Sequence, residues 1–413
     1  MIYVTNCIEY IITLRHLYRR KITRTFGYTG FCCHTFYLLK LFLKSQRYNK
    51  LGVGLNFYIF FCLALVSFLY ICCMSQSYLK HAIIELTTEC NLQCKHCYNW
   101  WKQEEQSSQK QNSYKKAFCL LDFLIKHTTV KHITFTGGEP TISERFIELV
   151  LHAKINGKSV TVITNGNGSP QIYKQLASMK VNMLEFSIHS SRPDIHDGIT
   201  QKPGSCEKAI KEMKDALSQG ISVTPVVVIT ATNHQYVEET ILYFFRQGIK
   251  SVMVNRYNLG GEGLNNPNLS ATAQQLRDTF GKLNTLAKYY DIRIFSGVCT
   301  PHCILNPDDY PLIRFGACSG QVEQRPLTFD LDGNLRLCNH SPIIAGNIYK
   351  ESFEEIFASS YIKEWSDLSI PFCQGCTHLA RCKGGCRAAS EQVGHSLKQE
   401  DPIIRELGGT PFL

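Results

Sequence analysis

The sequence predicts an α/β fold in which a parallel sheet, curled into a barrel or part of one, precedes a small cysteine-rich domain. Strand-like apolar runs alternate with amphipathic, helix-like segments six times between residues 82 and 289. Repeated β-α units of this kind favour a parallel sheet with right-handed crossovers. After about residue 296 the alternation ends and closely spaced cysteines follow. Periodicity alone also allows a doubly wound sheet.

The individual elements follow from two local signals. Apolar, β-branched runs bounded by turn residues predict strands near 82–87, 131–136, 158–164, 182–188, 221–230 and 250–256. A helical period of apolar residues predicts helices over 113–127, 143–155, 170–178, 204–219, 235–247 and 271–289. In such a fold, ligands should gather at the carboxyl ends of the strands.

The first 73 residues differ from the rest of the chain. They hold nine Lys or Arg residues and one acid, Glu9, and therefore carry +8 of the formal net charge of +10. The remaining residues are almost neutral, so the basic balance does not indicate nucleic-acid binding. The apolar run from Val53 to Met74 is long enough to span a bilayer. As an anchor it would hold the N-terminus in the cytoplasm and the cysteine-rich body outside. We favour the alternative, in which residues 1–73 are upstream sequence and translation starts at Met74.

Three cysteines after the first predicted strand carry the strongest chemical signal. Cys90, Cys94 and Cys97 are spaced C-x3-C-x2-C. Three thiolates on one loop can hold three irons of a [4Fe–4S] cube and leave the fourth iron open to a cofactor or substrate. A zinc site would be closed by four ligands. Many of the 19 cysteines stand at ligand-like spacings, which indicates metal binding rather than disulfides and therefore a reducing, cytoplasmic compartment.

This spacing resembles the signature of the radical S-adenosylmethionine (SAM) enzymes. In that family the open iron chelates SAM, and one electron from the cluster cleaves SAM to a 5′-deoxyadenosyl radical that abstracts a substrate hydrogen. The resemblance implies a partial (β/α)6 barrel and an electron donor such as flavodoxin or ferredoxin. His96 stands before the third cysteine, where the family usually has an aromatic residue, and Tyr98 follows that cysteine.

Further segments resemble the cofactor contacts of the same family. Gly137-Gly138-Glu139-Pro140 resembles its Gly-Gly-Glu-Pro loop, whose backbone and acidic side chain receive the methionine ammonium of SAM. Ser187 begins a segment that resembles the one reaching the SAM ribose, although His189 replaces the acid found there. Arg256 ends the sixth predicted strand, where the family contacts adenosine; a surface-paired arginine is the alternative.

The C-terminal cysteines resemble the SPASM extension, an α+β module that binds auxiliary iron–sulfur clusters. On that resemblance the first auxiliary cluster is held by Cys318, Cys338 and Cys386, with Cys303, or alternatively Cys299, as the fourth ligand. The second is held by Cys373, Cys376 and Cys382. The family pattern ends on a further cysteine, and none follows Cys386. The second cluster would then keep an open iron or take a ligand from Glu391, His395, Glu400 or Asp401. A zinc ribbon is the rival interpretation.

We therefore expect three parts: an N-terminal segment (1–73), a radical SAM core (74–296) and a SPASM domain (297–413). SPASM modules occur on enzymes that modify peptides and proteins, so the expected reaction is a crosslink, an epimerisation or a residue oxidation. One alternative is a small-molecule dehydrogenase or a cofactor- or tetrapyrrole-pathway enzyme. Another is a non-catalytic iron–sulfur or zinc scaffold. The expected partners are a peptide or protein substrate and the electron donor, with no nucleic acid and with membrane association only through residues 53–74.

Overall fold

The structure is a computed structural model that describes residues 78–103, 113–322, 325–367 and 369–413. The expectations for residues 1–73 and for a start at Met74 lie outside the described residues. The chain from Gln76 to Leu413 forms one compact unit. Among the described residues, no helix combines the length and the apolar character needed to cross a membrane.

One sheet of eleven strands organises the described part of the chain. The strands are β1 (His81–Glu85), β2 (His132–Thr136), β3 (Ser159–Thr164), β4 (Met183–Ser187), β5 (Val223–Ile229), β6 (Ser251–Arg256), β7 (Arg293–Ser296), β8 (Ile313–Phe315), β9 (Leu327–Phe329), β10 (Asn334–Arg336) and β11 (Gly346–Asn347). Their order is β11-β10-β9-β1-β2-β3-β4-β5-β6-β7-β8. All six predicted strands are present, and β7 and β8 extend the parallel series beyond them.

The strand order decides between the two sheet types that periodicity allowed. Strands β1 to β8 lie side by side in chain order and are parallel throughout. A doubly wound sheet would reverse its order at a switch point, and no reversal occurs within this series. The sheet remains open, with β11 at one edge and β8 at the other. The fold is therefore a partial barrel, as predicted.

The helices alternate with the strands and cover one face of the sheet. They are α1 (Tyr114–His127), α2 (Phe146–Ile155), α3 (Pro170–Ser178), α4 (Pro193–Thr200), α5 (Ser205–Ser218), α6 (Val237–Arg246), α7 (Ala273–Tyr289), α8 (Phe353–Phe357), α9 (Ser360–Ser366), α10 (Leu379–Cys382), α11 (Arg387–Gly394) and α12 (Pro402–Leu407). Each of the six predicted long helices is present, and α4 was not predicted.

Alternation along each strand separates the helix-facing side from the barrel interior. In β4, Leu184 and Phe186 are buried, whereas Met183, Glu185 and Ser187 are only half-buried. The fully buried positions form the main core between sheet and helices, with one member per strand: Ile84, Phe135, Val162, Phe186, Val227 and Val254. The opposite side of β4 leaves polar groups facing the interior of the barrel.

The C-terminal module joins the barrel through a strand pairing and a buried ion pair. The β9–β10 hairpin turns at Gly333, which has a φ of +79°, as the Asp-Gly pair predicted. β9 then pairs in parallel with β1. At this junction the guanidinium of Arg336 donates to the Glu85 carboxylate and to the Ser341 carbonyl, both inside the protein. The hairpin therefore extends the barrel sheet instead of forming a separate sheet.

Candidate active site and auxiliary metal centres

Cys90, Cys94 and Cys97 lie on the loop that follows β1. Backbone N–H groups of Gln93 and Lys95 donate to carbonyls at the end of α4, at 3.2 and 3.0 Å, and hold this loop in place. All thirteen cysteines of the described residues are free thiols. The three sulfurs are close enough that Cys90 and Cys97 both raise the pKa of the Cys94 thiol, after the larger effect of burial. The loop thus gathers three thiols and no fourth.

These buried thiols fit a cluster better than they fit an apolar core. Burial also raises the pKa of Cys97, to about 11, so without a metal the thiol stays protonated at neutral pH. A coordinated cation reverses this preference and deprotonates the thiol. The side-chain amide of Asn165, at the end of β3, lies 3.6 Å from the Cys90 sulfur and donates toward it. Hydrogen bonds to ligand sulfurs are a regular feature of iron–sulfur sites. No spacing pattern in the sequence indicates this contact between distant residues.

Gly137 and Gly138 follow β2 and press against the chain that leads to the cysteine loop. Gly137 has a φ of +135°, which side chains rarely allow. A Cβ at either glycine would collide with backbone, with the Thr87 carbonyl at Gly137 and the Glu89 carbonyl at Gly138. Two backbone hydrogen bonds, Gly138 N–H to Thr87 O (2.6 Å) and Glu139 N–H to Glu89 O (2.8 Å), fix the two loops together. The glycines are therefore needed where backbone must line the cluster loop.

Glu139 differs from its expected role. Its side chain is fully buried. One carboxylate oxygen accepts from the Thr141 N–H, the Thr141 hydroxyl and the Thr164 hydroxyl, and the other accepts from the Asn165 N–H at 2.7 Å. A carboxylate engaged by four donors inside the protein is not presented to an external ammonium. It fixes the end of β3, from which Asn165 reaches Cys90. The backbone role of Gly137 to Pro140 remains a prediction.

Replacing Glu139 by Gln tests this structural role. In the variant, the side-chain NH₂ would face N–H and O–H groups that donate to the carboxylate in the wild-type protein. We therefore expect the free energy of unfolding to fall by about 1–3 kcal/mol. Glu148→Gln, which affects an exposed pair with Arg145, should change it far less. Thermal unfolding of both variants measures the difference. A Glu139→Gln protein of unchanged stability that no longer binds SAM would instead favour direct contact with the ammonium.

Ser187 and the histidines around it lie at the carboxyl end of β4. Ser187 is half-buried on the interior-facing side, where its predicted contact with the ribose remains a prediction. His189 lies between His96 of the cysteine loop and His196 of α4, with ring centroids 4.3 and 5.5 Å away. Burial lowers the pKa of His96 and of His196 to about 4. The three rings are therefore neutral at physiological pH and pack the cysteine loop against β4.

Arg256 is placed differently from its expected contact with adenosine. It is 2 % exposed, and its guanidinium forms an ion pair with Asp401 of the C-terminal module. The same guanidinium donates to the Cys299 carbonyl at 3.0 Å and to the Asn258 side chain at 2.9 Å. These partners occupy the end of the side chain and turn it toward the C-terminal cysteines. Arg256 thus joins the barrel to that module.

The first group of C-terminal cysteines gathers around the hairpin and α11. The thiols of Cys318, Cys386 and Cys338 lie near enough to Cys299 to raise the pKa of its thiol, and burial raises it as well. The neighbouring Cys299 thiol and then the positive charge of Arg325 lower the pKa of Cys318 to about 6. Asn258 donates to the Cys386 sulfur at 3.3 Å. The fourth member of this group is Cys299, not Cys303.

The second group also has four members. Cys303 lies with Cys373, Cys376 and Cys382, all of which raise the pKa of its thiol after the larger effect of burial. The four cysteines line one cavity. The family resemblance placed Cys303, or alternatively Cys299, with the first group. Only three residues separate these two cysteines, and their spacing cannot tell which of them faces which group. The structure places Cys303 beside the second group, and which cluster it would bind remains a prediction.

The geometry also bears on the choice between zinc and a larger cluster. Across the described residues, no three His, Cys, Asp or Glu side chains converge closely enough to hold a single metal ion. Tetrahedral zinc needs four ligands within bonding distance of one ion. A [4Fe–4S] cube binds each thiolate at a different iron and so takes sulfurs that stand further apart.

Two family models match the chain over the regions just described. The model of the radical SAM superfamily matches residues 84–244, which include the end of β1, the cysteine loop and strands β2 to β5. The SPASM model, an iron–sulfur cluster-binding domain, matches residues 318–377. The chain therefore contains a radical SAM domain. It carries a SPASM domain, is an enzyme, and binds [4Fe–4S] clusters and SAM.

Similar proteins of known name support this assignment. The mycofactocin maturase MftC of Mycolicibacterium smegmatis is 27% identical over 341 residues, covering 80% of this chain and 83% of that protein. The PqqA peptide cyclase of Xanthomonas axonopodis pv. citri is 24% identical over 335 residues, covering 78% and 86%. The crystal structure of Streptococcus suis SuiB bound to SAM superposes with a TM-score of 0.61 at 15% identity, covering 79% of this chain and 77% of SuiB. At that identity the superposition shows the fold alone.

Proposed function

We propose that this radical SAM enzyme modifies a peptide or protein, by a crosslink, an epimerisation or a residue oxidation. The observation that carries the proposal is the combination of three thiols on the loop after β1 with two further groups of four cysteines in the C-terminal module. An open cluster site beside two closed ones suits chemistry that needs a radical initiator and an electron path. Relatives of this chain named as a peptide maturase and a peptide cyclase support a peptide as the substrate class.

The residues of the chain divide the work at the cofactor site. Cys90, Cys94 and Cys97 would hold the cluster, and the backbone around Gly137 and Gly138 would approach the methionine end of SAM. When bound, the cluster and SAM supply the 5′-deoxyadenosyl radical. Asn99 donates to the Gly137 carbonyl at 3.2 Å and fixes its direction. The protein thereby positions the cofactor and excludes side reactions, which is its usual share in cofactor chemistry.

Polar side chains on the interior face of the barrel favour a polar substrate. Thr134, Thr136 and Thr161 lie on the interior-facing side of β2 and β3, and Glu185 lies two residues before Ser187 on β4. Burial raises the pKa of Glu185 to about 7, so this carboxyl can hold or release a proton near neutral pH. A general base poised near the operating pH is efficient. Glu185 was not predicted from the sequence, because a lone acid in a strand carries no spacing signal.

A mass-spectrometric assay tests the proposed substrate class. The anaerobically reconstituted full chain is incubated with SAM, a reductant and synthetic peptides, chosen first from short reading frames beside its gene. We expect a crosslinked peptide to lose two hydrogens and an epimerised peptide to gain deuterium from D₂O. The variant with Cys90, Cys94 and Cys97 replaced by Ala should alter no peptide. Turnover of a small molecule, with every peptide unchanged, would contradict the proposal and favour a pathway enzyme.

The proposed setting is the cytoplasm, with flavodoxin or ferredoxin as the electron donor and no nucleic-acid partner. Free thiols at ligand spacings support a reducing compartment. To test the donor, purified reduced flavodoxin is mixed with the protein. Reduction of the clusters is then monitored as the loss of the clusters' absorbance. Reduction by dithionite but by neither carrier protein would contradict it.

A further inference from the structure

The segment from Cys299 to Cys303 reaches both auxiliary groups. The carbonyl of its first residue accepts from Arg256, which also donates to Asn258, and the Asn258 side chain donates to the Cys386 sulfur of the first group. Its last residue lines the cavity of the second group. Three residues separate the two thiols, the same spacing as in Cys382-x3-Cys386, which also has one member in each group. Two short stretches of chain therefore run between the groups.

These two stretches pack directly against each other. The backbone N–H of His302 donates to the Cys382 sulfur at 3.4 Å. Gly385, with a φ of +86°, lies against Pro301, and a Cβ at that glycine would stand 2.7 Å from the Pro301 ring. A non-glycine residue would therefore push the two stretches apart. The contact fixes the position of Cys303 relative to Cys382.

The cavity of the second group offers thiols and apolar side chains. Its lining includes the four cysteines together with Phe372, Leu379, Ile404 and Phe412. Three of the acids that could have replaced a missing cysteine are engaged elsewhere. Glu391 accepts from Ser341 and Tyr361, Glu400 pairs with Arg405, and Asp401 pairs with Arg256.

The C-terminal segment lies against this cavity, and its residues Pro411 and Phe412 form part of the lining. The Thr377 N–H donates to the Phe412 carbonyl at 2.8 Å, and the Phe412 ring stacks on His378 with centroids 4.1 Å apart. Within this segment a Cβ at Gly409 would stand 2.9 Å from the Cys303 sulfur. Because Gly409 has no Cβ, the Cys303 sulfur can lie beside it.

We infer that Cys299 and Cys303 each supply one thiolate to a different auxiliary cluster, Cys299 to the first and Cys303 to the second. The second cluster is then closed by four cysteines although the chain lacks a cysteine after Cys386. It has no open iron for a substrate thiol, and its role is to pass electrons. The two clusters are joined by two short covalent connections, Cys299–Cys303 and Cys382–Cys386. This inference concerns metal ligands and does not depend on the identity of the substrate.

A crossed set of variants tests the assignment in the full chain with the radical SAM triad replaced by alanine. Adding Cys318→Ala and Cys338→Ala removes the first auxiliary cluster, so that only the second remains. Adding Cys373→Ala and Cys376→Ala removes the second, so that only the first remains. Into each background we would introduce Cys299→Ala, Cys303→Ala or, as a control, Cys119→Ala, whose thiol is exposed on α1. The readouts are iron per chain and the electron paramagnetic resonance spectrum before and after addition of 2-mercaptoethanol.

Cys303→Ala should lower the iron of the second cluster from about four to about three or fewer per chain, and should make its spectrum respond to the added thiol. Cys299→Ala should do the same to the first cluster alone. Cys303→Ala acting on the first cluster, or on neither, would overturn the inference.

A second pair of variants serves if these proteins lose their fold. Gly409→Ala and Gly281→Ala are each introduced into the protein that has only the radical SAM triad replaced by alanine. At Gly281 an added Cβ meets no atom within 4 Å. Gly409→Ala should weaken the second cluster alone, and an effect equal to that of Gly281→Ala would overturn the inference.

Discussion

Replacing Cys90, Cys94 and Cys97 together by alanine is expected to remove about four irons per chain, one cube, and to abolish cleavage of SAM. The reason is that these three thiols form one group on the loop after β1, apart from the two auxiliary groups. Iron analysis and assay of 5′-deoxyadenosine measure the two effects. The auxiliary signals in the electron paramagnetic resonance spectrum should persist.

The control for that experiment is Cys119→Ala. Cys119 is exposed on α1, and its replacement should leave both the iron content and SAM cleavage unchanged. If the triple variant lost its iron and still cleaved SAM, the cysteine loop could not be the site of the SAM-binding cluster.

Replacing Arg256 by Met is expected to destabilise the protein by about 3–5 kcal/mol, because it leaves the Asp401 carboxylate buried without its partner. Both side chains of this pair are almost fully buried. Asp401 also accepts from the Cys386 N–H at 2.7 Å, so the first auxiliary cluster should become more labile. Thermal unfolding and iron retention during dialysis measure these effects.

Arg405→Met provides the matched comparison for Arg256. Arg405 also pairs with an acid, Glu400, but its side chain is 67% exposed, and solvent screens exposed pairs so that they contribute little to stability. Its replacement should change little. Arg256→Met with normal stability but weakened SAM binding would contradict the ion-pair role and restore the predicted contact with adenosine.

The barrel was predictable because each of its elements carries a local signal. Strands such as β5 and β6 are short β-branched runs between turns, and the helices between them have a clear apolar face. The hairpin around Gly333 was predictable for the same reason, since an Asp-Gly pair between apolar runs specifies its own turn. The cysteine triad was equally clear, because all of its ligands lie on one loop and their spacing sets their geometry.

The parts that escaped prediction depend on contacts between distant residues. Arg256 pairs with Asp401, which lies 145 positions further along the sequence. No local sequence pattern indicates this pairing. Glu139 lies in a recognisable motif, but its side chain turns inward to donors on β3 that the motif does not contain. Cys299 and Cys303 are interchangeable by spacing, and contacts with distant residues, such as Pro301 with Gly385 and His302 with Cys382, separate their directions. The helix α4 is short and contains Gly198, which weakens its helical signal.

The central claim is that the chain cleaves SAM reductively at the cluster held by Cys90, Cys94 and Cys97. The most direct measurement is the yield of 5′-deoxyadenosine when the anaerobically reconstituted full chain is mixed with SAM and dithionite. We expect 5′-deoxyadenosine to accumulate with the wild-type chain and to be absent with the triple alanine variant. A wild-type chain with all three clusters filled that forms no 5′-deoxyadenosine, with or without peptide, would contradict the claim.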